Sequence, residues 1–126
     1  FVSNYTGGSV VVFPIAADGS LGAASQHIQH QGVSPATGQD GPRAHCAILD
    51  PSAKWLLVCD LGKDQVLVYA FDNASGKLTP APKPYLQTAP GAGPRHITFH
   101  PEKPWVFFIN ELNSTLTSAS FDAVDG

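Results

Sequence analysis

Gly41-Pro42-Arg43-Ala44-His45-Cys46-Ala47-Ile48-Leu49-Asp50-Pro51, followed by Trp55-Leu56-Leu57-Val58-Cys59-Asp60, returns later in the same chain. The second copy reads Gly93-Pro94-Arg95-His96-Ile97-Thr98-Phe99-His100-Pro101, then Trp105-Val106-Phe107-Phe108-Ile109-Asn110. The Gly-Pro-Arg stretch repeats at an offset of 52 residues, and the Trp stretch and Phe71-Asp72 repeat at 50. A third copy lacks its front: Val2-Ser3-Asn4-Tyr5 and Ser9-Val10-Val11-Val12 align with the region from Val58 at an offset of 56. A fixed period of this size marks a repeat architecture, in which each unit buries its faces against its neighbours.

Within each unit, short apolar runs alternate with turn residues, and no 3.6-residue periodicity is present. In the complete unit the first strand is read at His45 to Leu49 and the second at Trp55 to Cys59. The third spans Gln65 to Phe71, and a weaker fourth lies near Leu78 to Leu86. Five prolines between Pro80 and Pro94 suit an outer edge better than a central strand. The second strand is apolar on both faces, as a strand sandwiched between neighbouring sheets must be.

Four-stranded antiparallel units recurring in this way predict an all-β chain that is a segment of a β-propeller. Residues 1–40 are expected to be the back part of one blade with its connection. Residues 41–92 form a complete blade and 93–126 the first three strands of the next. Propellers close with about four to eight blades, so the remaining blades are expected from the rest of a longer chain. WD-type and kelch-type signatures compete poorly, because there is no Trp-Asp dipeptide and Gly-Gly occurs once, at Gly7-Gly8.

The 126 residues are 43% hydrophobic and 13% charged, against about 25% charged in ordinary globular domains. A net charge of -3 with no basic cluster gives no footprint for nucleic acid or an anionic membrane surface. The longest apolar runs, at Trp55 to Cys59 and Trp105 to Ile109, fall far short of the roughly 18 residues of a membrane span. A soluble protein is expected. With no charged and apolar leader in view, a cytoplasmic setting is the expectation. Cys46 and Cys59 read as two buried free thiols. Trp55 and Trp105, equivalent in the repeat, read as packing between blades. Three Asn-x-Ser/Thr sequons, at Asn4, Asn73 and Asn113, all fall at turns.

Gly91-Ala92-Gly93-Pro94-Arg95-His96-Ile97-Thr98-Phe99-His100-Pro101, with Phe108-Ile109-Asn110-Glu111-Leu112 after it, resembles the lactonase family of seven-bladed propellers. That family includes propeller-type 6-phosphogluconolactonases and fungal carboxymuconate lactonising enzymes. Ala44-His45-Cys46-Ala47-Ile48-Leu49-Asp50-Pro51 and the Asp60-Leu61-Gly62-Lys63-Asp64 turn are similar to the family's His-containing blade start and Asp-Leu-Gly-x-Asp turn. Where relatives often carry a His-x-His pair, this chain has Arg43-Ala44-His45. The resemblance implies that residues at the positions of His45, Arg95 and Glu111 are catalytic or substrate-binding.

The topology places these residues together without the family. In an antiparallel meander the start of the first strand and the end of the second share a rim, so His45 meets Asp60 and Arg95 meets Glu111. Arg95 offers a planar fork of donors to a carboxylate or phosphate. His45, titrating nearest neutrality, is the general base or acid. Glu111 orients His45, moves the second proton or pairs with Arg95. Arg43, Asp60 and His96 join Arg95 as candidate substrate contacts. The expected ligand is a small anionic lactone or carboxylate, and no cofactor is implied.

Structural readings compete with each of these. Arg95 and Glu111 can simply brace two strands, His45 can cap a blade edge, and Asp60 and Asp64 readily bond turn amides. His96, next to Arg95 on a strand, is expected to point the other way. His96 and His100 invite a zinc reading, but four-residue spacing converges on a helix and these residues read as strand, so no metal is expected. His27 and His30 are placed on an exposed outer strand without a carboxylate partner. The functions left open are lactone hydrolysis, above all of 6-phosphogluconolactone, cyclisation of a carboxylated muconate, and non-catalytic binding on the same rim.

Overall fold

The Asp50-Pro51-Ser52 turn shows how each unit folds back on itself. Asp50 Oδ1 accepts the amides of Lys54 and Trp55, both at 2.8 Å, while Oδ2 accepts the Ser52 amide at 3.0 Å and its hydroxyl at 2.6 Å. Burial works against the charged carboxyl, but these donors prevail and hold it below the usual carboxylate range. His100 takes the same place one repeat later, its Nδ1 accepting the amides of Glu102 and Lys103 at 3.0 Å each. That nitrogen of the suspected metal pair therefore belongs to a turn.

The computed structural model describes all 126 residues, Phe1–Gly126. Strands β1 (Val2–Asn4), β2 (Ser9–Val12) and β3 (Gln26–Gln29) form the first sheet. Strands β4 (Ala44–Leu49), β5 (Trp55–Asp60), β6 (Gln65–Asp72) and β7 (Lys77–Gln87) form the second. Strands β8 (Pro94–Phe99), β9 (Trp105–Asn110) and β10 (Thr115–Ser120) form the third. Each sheet is an antiparallel meander in chain order, with β4 and β8 as inner edges packed against each other. In the outer strand β7 the pairing with β6 breaks between Leu67 and Tyr69, and Pro82 and Pro84 lie in the gap. A strand with such an interruption is tolerated where no further strand must pair with it.

The registers show which residues are equivalent. Val2, Ser3 and Asn4 pair with Val11, Val10 and Ser9 as Val58, Cys59 and Asp60 pair with Leu67, Val66 and Gln65, which preserves the offset of 56. Ala44 pairs with Asp60 as Pro94 pairs with Asn110, and Cys46 with Cys59 as His96 with Ile109, an offset of 50. Leu61 N donates to Arg43 O just as Glu111 N donates to Gly93 O. The two Gly-Pro-Arg stretches are thus not superposable. Arg43 stands where the next blade has Gly93, and the counterpart of Arg95 is His45. The 52-residue match is a sequence coincidence two residues out of the structural frame.

His45 and Arg95 are each the unpaired extra residue of a bulge, between Ala44 and Cys46 and between Pro94 and His96. An extra residue reverses the side-chain alternation beyond it. Ala44 accordingly packs toward the first sheet with Val10, Leu56 and Val58, whereas Cys46, two residues on, packs toward the third with Leu57, Cys59 and Phe108.

All six residues of β5 are buried. Trp55, Leu57 and Cys59 join the cluster with Ile97, Val106 and Phe108, while Leu56 and Val58 join that with Val10, Val12 and Tyr69. At about 25 cal/mol per Å² of apolar surface, this two-sided burial is the main attraction between sheets. β9 is covered on one side only, through Val106 and Phe108. Trp105 is 47% exposed where its equivalent Trp55 is 8% exposed. Cys46 and Cys59 are free thiols opposite each other on β4 and β5, and burial pushes the Cys59 thiol far above its ordinary value. No helix is long and apolar enough to cross a membrane.

Candidate active site

The two bulges aim their extra residues at one point on the rim between the second and third sheets. Arg95 Nε donates to His45 Nε2 at 2.9 Å and lies 2.8 Å from Glu111 Oε2. Glu111 is the first residue after β9, and the hydrogen bond its amide donates to Gly93 O holds it over the start of β8. The Arg95 and Glu111 side chains are 43% and 44% exposed. An ion pair so open to water contributes about 0–1 kcal/mol, too little for bracing alone to explain three polar groups converging here.

His45 is half-buried, and loss of water is the main reason its pKa lies below the ordinary histidine value. The Arg95 charge and His96 push the same way, and Glu111 opposes them. The imidazole is therefore neutral at pH 7. Because Nε2 accepts from Arg95, the ring proton sits on Nδ1, which is buried and has no partner. What results is a neutral imidazole with its lone pair at a guanidinium and a carboxylate beside both.

His96 does not point away from this group. The bulge at Arg95 breaks the alternation that would have separated them, and the His96 ring meets His45 edge-on, with centroids 4.9 Å apart and planes at 72°. Tyr5 flanks His45 as well, at 5.5 Å and 79°. Tyr5 was missed from the sequence, although the repeat carries a signal: it follows Asn4 as Glu111 follows Asn110. Arg43 lies on the Tyr5 side, its guanidinium carbon 5.9 Å from the Tyr5 ring centroid. It donates to Thr6 O at 3.3 Å and Pro42 O at 3.0 Å, and pairs with Asp40.

Asp60, expected as a substrate contact, is fully buried below the rim. Its Oδ1 accepts the amides of Arg43 at 2.7 Å and Lys63 at 3.2 Å, and its Oδ2 meets His30 Nδ1 at 2.6 Å. His30 is likewise buried, which corrects its placement on an exposed strand without a partner: it directly follows the outer strand β3 and turns inward. Asp64, in a left-handed conformation with φ 54°, accepts Ser34 Oγ at 2.7 Å and the amides of Gly91 and Gly93 at 2.7 and 2.8 Å. One carboxylate thus staples the lead-in to β4 and the other the lead-in to β8. These two lead-ins carry Arg43 and the approach to Arg95. An apolar cleft of about 210 Å³ between the second and third sheets, lined by Leu57, Ile97, Phe108 and Phe121 among others, includes no histidine or arginine and lies away from this rim.

Antiparallel meanders of three, four and three strands stacked face to face, with polar residues gathered on the inner-strand rim, define a segment of a β-propeller. The chain belongs to the lactonase family of seven-bladed β-propellers, whose family model matches residues 1–126. It is 34% identical over 124 residues to a 6-phosphogluconolactonase of Bacillus subtilis, covering 98% of this chain and 34% of that protein. A 6-phosphogluconolactonase of Pectobacterium carotovorum is 32% identical over 126 residues, covering all of this chain and 35% of that protein. The structure of a periplasmic gluconolactonase from Pseudomonas aeruginosa superposes with a TM-score of 0.91 at 32% identity, over 100% of this chain and 36% of that one. The chain therefore spans about a third of the length of these relatives.

Proposed function

We propose that the full-length protein to which these blades belong hydrolyses an anionic sugar lactone, with 6-phosphogluconolactone the favoured substrate. The observation that carries this reading is the meeting of His45, Arg95 and Glu111 at the two bulges. The relatives named as 6-phosphogluconolactonases support it.

In this mechanism Arg95 turns its guanidinium fork to the anionic group of the substrate, a bidentate geometry that Lys cannot reproduce. That movement frees His45 Nε2, which takes a proton from water as the oxygen attacks the lactone carbonyl carbon. The ring C–O bond breaks, the proton on His45 passes to the departing ring oxygen, and the new carboxylic acid ionises to a carboxylate. Glu111 stabilises the imidazolium that exists between the two transfers. Arg43 and His96 flank the path to the site as further substrate contacts, and the missing blades complete the pocket.

The test is hydrolysis of 6-phosphogluconolactone by the full-length protein, above the spontaneous rate, beside gluconolactone and a carboxylated muconate. Preference for the phosphorylated lactone is expected. Consumption of the muconate alone would transfer the same residues to cyclisation, and no turnover with retained binding would make the rim a binding surface.

A further inference from the structure

Tyr5 follows β1 as Leu61 follows β5 and Glu111 follows β9. In that shared position Leu61 is fully buried, and Glu111 reaches Arg95. Tyr5 instead presents its ring to His45 of the neighbouring sheet. A bulged residue has no partner in the strand ladder to fix its direction, so side-chain contacts must do so for His45. Three exist: Tyr5 on one flank, His96 against the ring at 4.9 Å, and the Arg95 Nε–H on Nε2. His96 and Arg95 both come from β8. Tyr5 is the one support from the preceding sheet, and it is itself held by the Arg43 guanidinium over its ring.

We propose that Tyr5 is a positioning residue for His45, its aromatic ring fixing the plane of the imidazole so that Nε2 faces the Arg95 and Glu111 side of the rim. The proposal rests on the reading of His45 as the base only for its catalytic consequence. The contact itself is independent of that reading. The groups facing His45 are Arg95 and His96 from β8, Glu111 after β9 and Tyr5 after β1, with Arg43 beyond Tyr5. Burial is the main cause of the lowered His45 pKa, and the Tyr5 ring is one of the groups packed against the imidazole.

The experiment is an NMR titration of His45 in the full-length protein, with kcat and KM measured on the same samples. Wild type is compared with Tyr5→Phe, Tyr5→Ala and Tyr5→Leu, the last keeping bulk without a ring. In Tyr5→Ala, which removes the cover, the His45 midpoint should rise toward about 6.5, whereas Tyr5→Leu keeps the bulk and should leave it near wild type. In both variants kcat should fall about tenfold, as misorientation of a reacting group does, with little change in KM. Tyr5→Phe should restore both properties. A His45 titration in Tyr5→Ala identical to wild type would overturn the proposal, as would wild-type kcat in Tyr5→Leu, or Tyr5→Phe behaving like Tyr5→Ala. A shifted titration in a protein that turns over no lactone would support the positioning role and refute the hydrolase reading, so the two failures are distinguishable.

Discussion

His45 and Arg95 hold the same place in consecutive blades, each the extra residue of an inner-strand bulge, and they join across the blade boundary through a hydrogen bond of 2.9 Å. The repeat has put two different chemistries into one geometric slot. A base and an anion clamp become neighbours because their blades are neighbours.

Replacing Arg95 by Ala should lower kcat/KM at least about tenfold, since a charge-assisted hydrogen bond to substrate amounts to about 1.5–3 kcal/mol. Arg95→Lys should recover only part of that loss, because the ammonium keeps the charge but not the fork. Steady-state kinetics on the phosphorylated lactone checks both. Wild-type values for Arg95→Ala would remove it from the mechanism.

The acid limb of the kcat/KM profile should follow His45. Its folded pKa lies below that of an unfolded histidine, held down by burial first and by Arg95 and His96 next. Activity should therefore persist below about pH 6.5. Arg95→Ala should move the limb to higher pH, because one of the two positive influences is gone, and Glu111→Gln should move it lower. The same shift destabilises the fold in acid: between the folded and unfolded pKa values the unfolded state binds more protons, so stability falls as pH drops through that window. Limbs that coincide in wild type and both variants would exclude His45 as the titrating base.

His45→Gln separates an enzyme from a binding module. General-base catalysis contributes about 10² to 10⁴ in rate, so turnover should collapse by that factor while equilibrium binding of the product carboxylate changes little. Equal losses of binding and turnover would contradict the assigned role.

Asp60→Ala should act on stability. The substitution leaves His30 Nδ1 and the Arg43 and Lys63 amides without their partner beneath the rim, and breaking a buried pair of this kind costs about 3–5 kcal/mol. Chemical denaturation of the full-length protein measures it. A loss below about 1 kcal/mol would mean that water replaces the carboxylate.

Trp105→Ala in the full-length protein should cost as much as Trp55→Ala, about 3–5 kcal/mol, although Trp105 is 47% exposed here and Trp55 only 8%. The expectation follows from the equivalence of the two positions and from a neighbouring blade covering Trp105 in the closed ring. A cost near zero would place Trp105 on a true surface.

The amino-acid sequence by itself determined the repeating meander, because turn residues and apolar runs recur with a period that no helical pattern matches. It also determined the sandwiched strand, since Trp55-Leu56-Leu57-Val58-Cys59 is apolar at every position and only a strand covered on both sides can bury it. The convergence of Arg95 with Glu111 was legible for the same reason: antiparallel pairing puts the start of one strand beside the end of the next. The tertiary structure alone decided the rest. Gly-Pro-Arg occurs twice, yet register is set by backbone pairing and by the single residue each bulge inserts, so the counterpart of Arg95 is His45, and Arg43 takes the place of Gly93. Asp60 and His30 lie thirty residues apart, and nothing local in either segment says that a buried carboxylate will meet a histidine from the preceding blade. Tyr5 reaches His45 by the same route. Contacts between blades depend on how whole sheets stack, and that stacking is encoded in the sum of many buried apolar faces rather than in the residues that finally touch.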